Sequence, residues 1–161
     1  LLAKDKSKVL AFQKKVAELD RSLSGTKKLY SESKEKLEYI ETAVVKYPAA
    51  PLSMMEDIKR LKDEIYEVRL VIWGDNTRSS RQMETLPGLS SRLGYVGYSS
   101  WWNTAEPTGT AREQFQIASE DYQQVLEKTR SIADDLAEIE KQLVELKVPY
   151  TPGRGSDWGE D

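Results

Sequence analysis

Tyr95, Tyr98, Trp101 and Trp102 bring four aromatic rings into eight residues. Flat rings at that density can stack on a sugar or grip a partner's side chain. Aromatics on a short helix more often pack inward, and the expectation here is that they plug the core where their helix meets the following turn. A second cluster is acidic. Asp134, Asp135, Glu138 and Glu140 offer carboxylate pairs of the kind that glycoside hydrolysis requires. Any acidic helix offers such pairs, so the expected role is a solvated face. A third cluster is basic: Lys14, Lys15, Lys27, Lys28, Lys34 and Lys36. It suggests a nucleic-acid surface, but an acidic neighbouring segment would cancel the required field, and no nucleic-acid partner is expected. The ending Val148-Pro149-Tyr150-Thr151-Pro152-Gly153-Arg154 reads as an anchored cap, with Tyr150 folding back and Arg154 meeting acidic or carbonyl groups. Tyr98, Trp101, Trp102, Tyr150 and Arg154 are therefore the candidate contact surface, and no residue is assigned as catalytic, metal-ligating or cofactor-binding.

Composition narrows the chemistry further. The 161 residues contain neither Cys nor His. A Ser-His-Asp triad, a Cys nucleophile, Cys/His zinc sites and Glu-x-x-His di-iron sites are thus impossible within the chain. Carboxylate, Lys, Tyr or backbone chemistry is what remains. Charged residues make up 32% and no apolar run approaches the roughly 18 residues of a membrane helix, so no membrane insertion is expected. The chain opens Leu1-Leu2-Ala3-Lys4 without a signal peptide and reads as a piece of a longer protein. The net charge of −3 is uneven: +4 over residues 1–48, zero over 49–104 and −7 over 105–161. A basic first helix beside an acidic last one follows naturally.

The elements that position these clusters are legible in apolar spacing. A strict three-four stripe runs Val9, Phe12, Val16, Leu19, Leu23, Thr26, Tyr30, Ser33, Leu37, Ile40, Val44, Tyr47. It predicts a helix over about 2–46, roughly 65 Å long, continuous across Gly25 and stopped before Pro48. Ser53 and Glu56 form a capping-box pattern opening a helix over 53–73, with Met54, Ile58, Leu61, Ile65, Val68 and Ile72 on one face and Gly74 as its stop. Residues 75–87 read as a loop. A short helix over 88–101 carries Leu89, Leu93 and Val96, while Gly94 and Gly97 on one side predict close helix packing. The last helix, over 110–147, is striped by Phe115, Ala118, Tyr122, Val125, Thr129, Ile132, Leu136, Ile139, Leu143 and Leu146. Thr26, Ser33 and Thr129 interrupt the stripes as polar members of a buried layer.

The expected fold is an all-α elongated antiparallel helical bundle, spanning 1–148 with an irregular tail over 149–161. The two long helices run parallel, and the two shorter helices follow end to end as a broken middle leg. A four-helix bundle with the third helix turned back is the alternative.

Several segments in order carry a family likeness: Ser91-Arg92-Leu93-Gly94-Tyr95-Val96-Gly97-Tyr98, then Trp101-Trp102-Asn103-Thr104-Ala105-Glu106-Pro107-Thr108, then Arg112-Glu113-Gln114-Phe115 and the Pro149 to Arg154 ending. Over about residues 52–158 the chain resembles the C-terminal region of large bacterial BNR/sortilin-like β-propeller proteins, which are frequent in Bacteroidetes and carry glycosyl hydrolase or sialidase-like labels. The resemblance implies an upstream β-propeller and β-sandwich as partners in the same polypeptide. It also implies export to the periplasm, cell surface or exterior. Any glycosidase activity would belong to the propeller, and no family catalytic residue falls on this chain. The functional expectation is a non-catalytic accessory module serving stability, spacing or docking. The alternative is an independent interaction or self-association module whose long helices pair between chains as in a coiled coil. No cofactor is expected.

Overall fold

The computed structural model describes residues 6–81, 83–102, 105–149 and 152. Among them the secondary structure is entirely helical: α1 (Lys6–Val45), α2 (Leu52–Trp73), α3 (Asn76–Ser80), α4 (Leu89–Trp101) and α5 (Gly109–Glu145). The fold is an all-α helical bundle in which α1 and α5 pack together. Where one bundle over 1–148 is expected, the contacts divide into two compact units. The first comprises the described residues of Leu1–Lys27 and Glu67–Glu127, the second those of Lys28–Tyr66 and Lys128–Asp161.

Helix termini follow from local chemistry. The α2 stop is an αL cap: Gly74 adopts φ 79°, and its N–H donates to the Leu70 carbonyl at 2.8 Å. α3 was not foreseen within the expected loop. It exists because the Asp75 carboxylate accepts the N–H groups of Thr77 (3.0 Å) and Arg78 (3.1 Å), which gives this one-turn helix an N-cap. Thr108 does the same for α5, accepting the Ala111 N–H at 3.1 Å. α5 closes with a Schellman pair, Val148 N–H to the Leu143 carbonyl and Lys147 N–H to the Val144 carbonyl, both 3.0 Å, with Lys147 at φ 53°. The Ser53 capping box is not used as expected. The helix begins one residue earlier, at Leu52, which places Ser53 inside the first turn, and the Met54 N–H donates to the Pro51 carbonyl instead.

In the first unit the stripes of α1 and α5 face each other through Phe12 and Phe115, edge to face at 5.4 Å, and through Thr26 and Tyr122, whose hydroxyls lie 3.3 Å apart. Both pairs advance together along the chain, so the two helices are parallel here. α4 runs antiparallel to α1. Its end meets the start of α1, where Gln13 Nε2 donates to the Ser100 carbonyl at 2.7 Å. Its beginning abuts the end of α2, itself beside Lys27, whose Nζ lies 5.9 Å from the Trp73 ring centre. The short helix therefore continues the direction of α2, as the broken-leg arrangement expects. Leu89, Leu93 and Val96 on α4 are buried, as are Val16, Leu23, Val68, Ile72, Ala118 and Val125 of the same unit.

In the second unit α1 and α5 are again parallel, joined by Lys36 with Glu140 (3.1 Å) and by the Tyr47 hydroxyl donating to the Leu146 carbonyl (2.9 Å). The short connection 46–51 brings α2 back beside α1, where Lys62 Nζ donates to Glu41 Oε1 at 2.8 Å. Ile40, Ile58, Leu61, Ile132, Leu136 and Leu143 are almost wholly buried. Each such side chain contributes about 1.5–3 kcal/mol of transfer free energy. Ser33 and Thr129 are buried with them.

Close approach of the backbone falls on a different glycine from those expected. Gly94 and Gly97 are not packing sites: a Cβ on Gly94 would meet nothing within 4 Å, and on Gly97 only the Trp101 ring at 4.0 Å. The tight position is Gly88, where a Cβ would sit 2.6 Å from both Gly74 N and Trp73 C. The α4 start is pressed against the α2 end so closely that only Gly fits.

Candidate interaction surface

α4 is apolar on two sides, and the geometry of a 13-residue helix explains how. Leu89, Leu93, Val96 and Ser100 fall on the inner side and are buried. Tyr95, Tyr98, Trp101 and Trp102 then fall away from that side because they sit one or two residues out of that register. They are 50%, 71%, 61% and 82% exposed. The expectation that they plug the core is thus overturned. The inner positions were already filled by aliphatic residues in the helical period, and four large rings beside them had only solvent to face. The rings of Tyr98 and Trp102 lie 6.5 Å apart and tilted by 45°, one turn from each other. Between Ser91 and Trp102 the chain carries one charge, Arg92. Arg92 turns from the outer face: it is half-buried and donates from Nη1 to Gln114 Oε1 at 2.6 Å.

Beside this face lies a notch of about 70 Å³, lined by Tyr95, Ser99 and Ser100 together with Val9, Phe12, Gln13 and residues 105–108 and 111. Ser100 Oγ is buried there without a hydrogen-bond partner among the described residues. Tyr150 and Arg154, the other two candidate contact residues, lie outside the described residues.

Several members of the charged clusters are held in ordinary pairings. Asp135 takes a hydrogen bond from Arg60 Nη1 at 2.9 Å, Glu138 pairs with Lys141 at 3.2 Å, and Glu140 pairs with Lys36. Hydrogen bonds to Asp135 and Glu64 raise the Arg60 pKa above its ordinary value. Lys28 and Lys34 pair one turn along α1 with Glu32 and Glu38. Tyr39 donates to Glu35 Oε1 at 3.1 Å, and that bond, followed by the nearby carboxylate charge, pushes its pKa up. An open groove of about 390 Å³ in the second unit runs beside Ser33, Lys36, Tyr39 and Leu136 as far as Pro152. No group of three or more acidic residues is placed to hold a metal ion among the described residues. No described helix is long and apolar enough to cross a membrane.

No family model, curated protein or solved structure matches the chain.

Sequence reasoning missed Gly88 and Asp75. The signal for Asp75 was present, an acidic N-cap residue just before Asn76. Gly88 had no local signal, because its requirement comes from Gly74, which lies far from it in sequence.

Proposed function

We propose that the chain is a non-catalytic helical accessory module of a larger exported BNR/sortilin-like protein, serving the stability, spacing or docking of an upstream β-propeller and β-sandwich. The observation that carries this reading is the outer face of α4. Four exposed aromatic rings on one short helix form the kind of apolar patch that marks a contact site. The long-helix stripes, by contrast, are already committed to the core of each unit. Export to the periplasm, cell surface or exterior belongs to the same reading and rests on the sequence likeness alone.

The test is photo-crosslinking from position 98 in the full-length parent protein. Crosslinks into the upstream domains are expected. A reading frame without a β-propeller upstream overturns the family context. Glycoside turnover by the chain that is lost on Asp135→Asn or Glu140→Gln overturns the non-catalytic assignment.

Self-association is the second reading, favoured by that same exposed face. A coiled-coil pairing of the long helices has no free stripe to use, since the stripe residues are buried or half-buried within their own unit.

A further inference from the structure

We infer that the outer face of α4 is a two-fold contact with a second copy of this chain, made by Tyr95, Tyr98, Trp101 and Trp102 around the open position at Gly94. The inference deepens the second, self-association reading by naming the face and the symmetry of the pairing, and it shares with the accessory-module reading only that this face is a contact site.

Three observations select a second copy. The first is charge. A two-fold contact sets this patch against the same patch of the other copy, so a face carrying charge of one sign would repel itself. This face has none: its residues are Ser91, Gly94, Tyr95, Tyr98, Trp101 and Trp102, with Arg92 turned away toward Gln114.

The second is shape. The face holds both protruding rings and a position bare of side chain. Tyr98 and Trp101 stand out at 71% and 61% exposure, while the site of a Cβ on Gly94 meets nothing within 4 Å. Gly94 lies one turn from Tyr98 on the same side, so a ring from one copy can settle over the bare backbone of the other. A surface that carries both protruding rings and a position without a side chain can seat a copy of itself.

The third is area. At about 200 Å² per aromatic side chain, the exposed parts of the four rings come to about 500 Å². A two-fold contact then buries about 1,000 Å² in total, at the lower edge of specific interfaces. A reversible dimer is the expected result rather than a permanent one. Tyr and Trp are also the residues that concentrate binding energy at interface centres.

The experiment is sedimentation equilibrium of the whole 161-residue chain up to about 100 µM, a range suited to a contact at the lower edge of specific interfaces. A monomer–dimer equilibrium is expected, with Trp emission shifting to the blue as the dimer forms. Gly94→Glu places a like charge at the centre of the contact without touching the core, and is expected to be monomeric throughout with unchanged helical circular dichroism. Tyr98→Ala combined with Trp102→Ser is expected to do the same. Should that pair unfold, Gly94→Glu decides alone. A wild-type monomer at the highest concentration overturns the inference, and so does a dimer that survives Gly94→Glu. The two readings fail separately. A monomeric chain that crosslinks to its upstream domains keeps the module reading and removes the dimer. A dimer whose parent lacks a propeller does the reverse.

Discussion

At the scale of single residues, two positions have consequences that follow from atoms within a few ångströms. Gly88 is held by space, not by dihedral angle: its φ of −66° suits any residue, yet a Cβ would collide with Gly74 N and Trp73 C. Gly88→Ala is expected to cost about 2–3 kcal/mol in urea unfolding, the scale of overpacking against backbone that cannot move aside. Tyr39 is a surface case. Its hydroxyl proton is held by Glu35, so its folded pKa lies above the ordinary 10.0. The small stabilisation is complete below that ordinary value and disappears as pH rises through the raised one. Glu35→Gln should move the Tyr39 tyrosinate absorbance titration back toward 10.0, read as the difference from Tyr39→Phe. The candidate contact residues also belong to this scale. The rings at 95, 98, 101 and 102 were legible as a cluster, and the register of Leu89, Leu93 and Val96 sets their side against the expectation of a core plug. A ring on a short helix faces inward or outward according to which other residues fill the core positions, and here Leu89, Leu93 and Val96 fill them.

At the scale of elements, the helices follow from spacing and their ends from capping chemistry. Gly25 sits inside α1 with open space where a Cβ would go, and the helix continues through it. Gly25→Ala should therefore stabilise by about 0.5–1 kcal/mol. Gly74→Ala should destabilise by about 1 kcal/mol, because its φ of 79° is left-handed. Lys147→Gly should stabilise by a similar amount of about 1 kcal/mol, since a lysine now occupies the left-handed position of the α5 cap. Thermal unfolding of the three variants checks the signs. Gly25 and Gly74 look alike in sequence and separate only by backbone angle. The sequence marked the Gly74 and Pro149 stops. It misplaced the start of α2, where Pro51 supplies the carbonyl that the Ser53 box was expected to replace. Asp75 shows the converse, a capping residue strong enough to make α3 out of a stretch that reads as loop.

At the scale of the whole molecule, stability comes from apolar burial in the two units rather than from charge. The ion pairs are mostly exposed: Lys28 with Glu32 at 79% and 61%, Lys34 with Glu38 at 56% and 63%. Such pairs are worth about 0–1 kcal/mol each. Raising NaCl to about 1 M, where screening acts within about 3 Å, should lower the unfolding free energy by no more than about 1 kcal/mol. The sequence by itself determined which residues would be interior, because a three-four apolar period allows only one face of a helix to leave water. Val16, Leu23, Ile40, Ile58, Ile132 and Leu136 all lie where that period puts them. It also determined that chemistry requiring Cys or His is absent from the chain. Only the tertiary structure decided that α4 continues the direction of α2 and that Gly88 rather than Gly94 or Gly97 carries the close approach. The physical reason is common to both. Each depends on what another segment places alongside, Gly74 beside Gly88 and Gln13 beside Ser100, and the spacing within one helix does not encode a neighbour from outside it.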